Sequence, residues 1–150
     1  MWFHVIALER AIPVSLADVR WIKLPHSLDE RGVLTAIEAG SDIPFEVKRI
    51  FYMHGTPAGI ERGGHAHRDT RQVVIAANGH FRMDLSDGKE TRAFELSDPN
   101  KGLYMPPMTW VRLYDFSDAA VALVLADTHY DRSRSLRTWD EFVRAVSEAT

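Results

Sequence analysis

No cysteine occurs among the 150 residues. Its absence excludes a disulfide scaffold, a thiolate metal site and a cysteine nucleophile, and a reducing compartment suits such a chain. An excess of charge of either sign is also missing: 18 Lys and Arg against 21 Asp and Glu leave a formal charge of −3. Nothing in that balance points to nucleic acid or an anionic membrane as the main partner, whereas a local basic pocket for a phosphorylated small molecule is compatible with it. No apolar run approaches the roughly 18 residues that a membrane-spanning helix needs. Met1–Leu8 is apolar, but it has no basic leader and is interrupted by Glu9 and Arg10, so it is not expected to be a signal peptide. The expectation is a cytoplasmic protein with one domain over residues 1–150, since 45% hydrophobic residues suffice for one ordinary core.

The middle of the chain consists of short apolar runs separated by turn residues. Strands are expected at Trp21–Leu24, Val33–Glu38, Val47–His54, Gln72–Ala77, His80–Leu85, Glu90–Leu96, Gly102–Met105, Thr109–Phe116 and Val121–Ala126. Such regular spacing predicts an all-β sandwich or barrel. Asn78-Gly79 has the chemistry of a two-residue type I′ hairpin, and Ser86-Asp87-Gly88 that of a second turn. Phe81, Met83 and Leu85 alternate with His80, Arg82 and Asp84, as in a half-buried strand. One helix is expected, over residues 138–149. Trp139, Phe142, Val143 and Val146 form its apolar stripe, and Thr138 with Glu141 makes a capping box. Residues 1–20 read as an N-terminal arm or an edge strand.

The chemistry concentrates in Gly59-Ile60-Glu61-Arg62-Gly63-Gly64-His65-Ala66-His67-Arg68. On a strand, residues two apart share a face, so His65 and His67 project together. Two imidazoles on one face suit either a metal site or proton transfer near neutral pH; two histidines on a polar outer face are the plainer possibility. Gly59, His65, His67, Gln72 and Gly79 stand at the spacing of the first cupin motif, and the sequence resembles that motif except that Gln72 replaces its glutamate. The counterpart of the second motif, Gly102 to Trp110, contains no histidine. Two imidazoles and a neutral amide are a poor donor set for a divalent ion, so no metal and no cofactor are expected.

A narrower resemblance rests on Arg31-Gly32-Val33-Leu34, Ile43-Pro44-Phe45-Glu46-Val47-Lys48-Arg49, Arg62-Gly63-Gly64-His65-Ala66-His67 and Val124-Leu125-Ala126. Over roughly residues 27–145 the chain is similar to the dTDP-sugar 3,4-ketoisomerases, the WxcM-like or FdtA-like cupin proteins. The resemblance implies a jelly-roll, RmlC-like β-barrel with a short C-terminal helix. It also implies a homodimer that exchanges N-terminal strands, a metal-free reaction and a place in deoxyamino-sugar biosynthesis, as for lipopolysaccharide O-antigen. The implied substrate is dTDP-4-keto-6-deoxy-glucose and the implied product its 3-keto isomer. His65 and His67 would then be the catalytic pair, with Arg49, Arg62, Arg68 and Gln72 binding substrate. The chain departs from the family pattern at Phe51, where a tyrosine is usual, and at Val111-Arg112. The usual acidic-Asp-Tyr-Ile-Arg ending becomes Arg132-Ser133-Arg134-Ser135-Leu136-Arg137. A metal-dependent cupin enzyme, a nucleotide-sugar epimerase and a non-catalytic small-molecule-binding cupin are the competing readings.

Overall fold

The computed structural model describes residues 14–149. Its chain order is β1 (Arg20–Lys23), β2 (His26–Asp29), β3 (Gly32–Thr35), β4 (Arg49–His54), β5 (Arg62–His67), β6 (Gln72–Asn78), β7 (Phe81–Ser86), β8 (Thr91–Leu96), β9 (Lys101–Met105), β10 (Trp110–Tyr114), β11 (Val121–Ala126), β12 (Ser135–Leu136) and α1 (Trp139–Glu148). Two five-stranded antiparallel sheets form, ordered β1-β9-β6-β11-β4 and β12-β5-β10-β7-β8, with β2 and β3 as a separate hairpin. This is the expected jelly-roll cupin architecture, although the hydrogen-bond ladders remain in two sheets and do not join into one cylinder. Most of the expected arm or edge strand over residues 1–20 lies outside the described residues; β1 corresponds to the strand expected at Trp21–Leu24 and lies at the edge of the first sheet, next to β9.

Three apolar layers hold these elements. The central one lies between the sheets. There Phe81, Met83 and Leu85 of β7 and Val111 and Leu113 of β10 meet Val74, Ala76, Met105, Ala122 and Val124 from the other sheet. A second layer covers the outside of the first sheet, where Ile43 and Phe45 pack on Val73, Ile75, Tyr104 and Leu125. Burial on both faces explains why β6 reads as an unbroken apolar run rather than an alternating one. In the third layer, Phe142, Ala145 and Val146 of α1 pack over Ala66 and Leu136 on the second sheet. Thr138 caps α1 by accepting the Glu141 N–H at 3.2 Å. The Glu141 carboxylate reaches the N–H of Arg137, not that of Thr138, so the capping box is only half formed.

Asn78-Gly79 does not form the expected hairpin. β6 and β7 lie in different sheets, and only Gly79 has positive φ (62°), whereas a type I′ turn needs it at both residues. The turn instead carries the chain between sheets. Tertiary partners hold it there: Asn78 Nδ2 donates to Ala119 O at 2.8 Å, and His80 N–H donates to Ser117 Oγ at 2.9 Å. The Ser86–Gly88 turn does join neighbouring strands, β7 and β8. β2 and β12 were not among the expected strands; both are short and poor in the usual strand formers.

β5 begins with an irregularity that positions the site. Val111 pairs with His65 and Arg112 with Gly63, so Gly64 is skipped in the ladder. Gly63 and Gly64 have φ of 89° and 74°, values that residues with a Cβ rarely adopt. A Cβ on Gly63 would also stand 2.6 Å from the Val111 carbonyl oxygen. The bulge re-aims the strand just before the histidines. Gly63→Ala is therefore expected to cost about 2 kcal/mol or more, from backbone strain plus a backbone clash. Thermal unfolding should show a melting temperature lower by roughly 4–8 °C.

Candidate active site

Ala66 is fully buried beneath α1, which turns its neighbours His65 and His67 to the opposite side of β5. Their rings lie 5.0 Å apart between centroids. They face Arg49 and Phe51 on β4 across the mouth of the two sheets. Tyr130, Ser135 and Arg137 complete a cleft of about 260 Å³. Two further chambers extend it, one smaller and one larger. A deep hollow of about 170 Å³ shares Phe51 and His65 and adds Gln72, Arg62 and apolar side chains such as Met105, Val111 and Val124. An outer hollow of about 500 Å³ shares Arg49, His67 and Tyr130 and adds Asp69, His129, Asp131 and Arg134.

The supports are local. Ser135 pairs with His67 and Leu136 with Ala66, which brings Arg137 over the histidine pair. Arg137 donates to the Tyr130 hydroxyl at 3.2 Å, and the Arg49 guanidinium lies 5.3 Å from the Tyr130 ring. The segment bearing Tyr130 is anchored by Arg71, which donates to the Asp127 carboxylate at 2.8 and 2.7 Å, and by a 2.7 Å Thr70–Thr128 hydroxyl contact.

Among the described residues, two guanidiniums and no carboxylate line the central cleft. Burial, then the charge of Arg137, lowers the His65 pKa. Burial pushes His67 down to about 4, with His65, Arg49 and Arg137 adding to the effect. Both imidazoles are thus neutral at physiological pH and able to accept a proton. Arg49 is itself lowered by burial, with Tyr130 opposing. Folding depresses the His67 pKa, so the unfolded chain binds that proton more readily. Its contribution to stability is intact above pH ~6.5 and is lost as pH falls towards 4.

Several polar atoms at the site are buried without a partner: Arg49 Nε, His65 Nδ1 and Gln72 Nε2. Gln72 is only 5% exposed. Unpaired buried donors are costly, and a ligand carrying acceptor oxygens would relieve them. A metal fits less well. Among the described residues no three His, Cys, Asp or Glu side chains converge, and Gln72 offers a neutral amide where a carboxylate would be needed.

The structure brings His65, His67, Arg49, Gln72 and Arg62 to this connected space, Arg62 at its exposed rim. Arg68 points elsewhere. Strand alternation turns it to a separate hollow beside Glu141 and Arg144 of α1. Sequence reasoning missed Arg137, Tyr130 and Ser135 as site residues. Arg137 had a signal, since it keeps the arginine of the altered ending.

Two facing jelly-roll sheets with a His-x-His pair at their mouth form a cupin site. The family model described as WxcM-like, C-terminal (FdtA) matches residues 17–147, and the chain belongs to this family. It is 38% identical over 127 residues to the TDP-4-oxo-6-deoxy-alpha-D-glucose-3,4-oxoisomerase of Aneurinibacillus thermoaerophilus, covering 85% of this chain and 91% of the relative. A mutant of the 3,4-ketoisomerase QdtA from Thermoanaerobacterium thermosaccharolyticum, solved in complex with TDP-4-keto-6-deoxyglucose, superposes with a TM-score of 0.87 at 36% identity. The match covers 89% of this chain and 97% of that one. The TDP-quinovose 3,4-ketoisomerase WlaRB of Campylobacter jejuni gives a TM-score of 0.81 at 37% identity, covering 85% and 98%.

If the guanidiniums hold the imidazoles neutral, Arg137→Gln should move both histidine pKa values up towards 6.5. NMR titration of the ring protons will read this; unchanged titration curves would remove Arg137 from the electrostatics of the pair.

Proposed function

We propose that the chain is a nucleotide-sugar 3,4-ketoisomerase that converts TDP-4-keto-6-deoxyglucose to its 3-keto isomer. One observation carries the reading: a pair of neutral imidazoles in a cleft where, among the described residues, the fixed charges are guanidiniums, in a member of a family with relatives named for this reaction.

The chemistry follows from the substrate. The C3 hydrogen is acidic because it lies beside the C4 ketone. His67 removes it; the C3–H electron pair becomes the C3–C4 double bond and the carbonyl pair moves onto O4. The nearby guanidinium of Arg137 stabilises that oxyanion. His65 passes the O3 proton to O4. Collapse of the enediolate then forms the C3 carbonyl, while C4 takes the proton held by His67. Atoms and charge balance, and no external oxidant is needed. Gln72 donates its unpaired N–H to a sugar oxygen in the deep hollow, whose apolar wall suits the C6 methyl. Arg49 and Arg62 are the residues we assign to the diphosphate, where a guanidinium can bind two oxygens at once. Arg68 has no such place in the cleft.

His67→Asn should lower kcat at least about 10²-fold, the loss expected on removing a general base, with the melting temperature nearly unchanged. The assay is turnover of TDP-4-keto-6-deoxyglucose followed by proton NMR. Wild-type turnover with a fully active variant would reject the assigned role.

We also read the working form as a homodimer, in the cytoplasm, serving deoxyamino-sugar synthesis for surface polysaccharide such as O-antigen. The dimer reading is supported by apolar residues left bare on the described chain. Leu28 and Leu34 of the β2–β3 hairpin are 76% and 65% exposed, and Ile50 and Tyr52 on the outer face of β4 are 60% and 61%. Light scattering should give twice the chain mass, and Leu28→Glu with Leu34→Glu should shift it to one; a wild-type monomer would refute the assignment.

A further inference from the structure

His67 has unusual company for a histidine base. Arg49 faces it from β4, Arg137 from the segment after β12, His65 from its own strand and Tyr130 from the loop after β11. The outer hollow, which His67 also lines, adds Asp69, His129, Asp131 and Arg134, but Asp69 is engaged by Arg134 at 2.7 Å and Asp131 by the N–H of Ser133 at 3.0 Å. Among the described residues, the ring's hydrogen-bond contact is the Ser135 hydroxyl, 3.2 Å from Nδ1. Ser135 and His67 are direct partners in the β12–β5 ladder, so the backbone fixes this contact.

A histidine base needs its proton on one nitrogen so that the other can accept. A carboxylate beside Nδ1 achieves that, but it also favours the charged ring. In a cleft that takes up an anionic substrate and must keep the ring uncharged at rest, a neutral acceptor is the better partner. We infer that Ser135 is a positioning residue for the reaction proposed above: its hydroxyl accepts the Nδ1–H of His67 and presents a bare Nε2 to the sugar. During turnover Nε2 gains the C3 proton and later releases it to C4, while Nδ1–H continues to donate to Ser135. Ser135 touches no reacting atom; it sets the tautomer and direction of the residue that does.

Two measurements test this on the full-length protein. Nitrogen-15 NMR of labelled histidine, without substrate, should report the Nδ1–H tautomer for His67 in the wild type and a mixture in Ser135→Ala. A wild-type ring carrying its proton on Nε2 overturns the inference whatever the protein's activity. The second is the pH dependence of turnover. Ser135→Ala should lower kcat about tenfold to a hundredfold, no more than the lower end of the range for losing a general base outright, with KM little changed, and Ser135→Thr should recover most of the loss. Ser135→Asp should move the acid limb of kcat/KM upward by about one unit or more, because a carboxylate now favours the protonated ring. Wild-type kcat in Ser135→Ala, or an acid limb unmoved in Ser135→Asp, would overturn it. A wild type that turns over no TDP-4-keto-6-deoxyglucose refutes the ketoisomerase reading instead, and leaves the tautomer result standing on its own.

Discussion

Two imidazoles 5.0 Å apart must remain uncharged beside two guanidiniums, and the rest of the site depends on that constraint. Burial and like charge both disfavour protonation, and they act together here. A carboxylate in the central cleft would reverse the effect, and none of the described residues lining it carries one. The same cations that keep the imidazoles neutral also suit the cleft to a negatively charged ligand. In the reaction proposed above they would meet the negative charge that develops on the sugar, already in place before that charge appears.

The fold meets that constraint by crossing sheets. One sheet supplies the histidines through β5, and the other supplies Arg49, Phe51 and Gln72 through β4 and β6. The short β12 strand adds Ser135 and delivers Arg137. α1 has no atom in the central cleft, yet Phe142 and Val146 cover Ala66 from behind and keep the histidine side of β5 inward. Trp110 and Trp139, whose rings meet edge to face at 5.5 Å, belong to this packing.

Local patterns carried much of the fold. Alternation along β4 and β7, the turn at Ser86–Gly88 and the stripe on α1 are each written in a few adjacent residues. The histidine pair was equally legible, because i and i+2 share a face on any strand. What local pattern could not give was which sheet each strand joins. Asn78-Gly79 has hairpin chemistry, but its partners, Ser117 and Ala119, lie about forty residues away and turn it into a crossing. Arg68, one residue beyond His67, lines a separate hollow beside α1 and not the cleft. Ser135 and Tyr130 reach the site through tertiary pairing, which local periodicity does not show.

The most direct test follows the fate of the substrate's own atoms. TDP-4-keto-6-deoxyglucose should be incubated with the protein in deuterated buffer and observed by proton and carbon NMR. The account predicts that the carbonyl moves from C4 to C3 and that a new hydrogen appears on C4, either transferred from C3 or drawn as deuterium from solvent. A carbonyl that stays at C4 while deuterium enters C3 or C5, or a sugar that does not change at all, would contradict it.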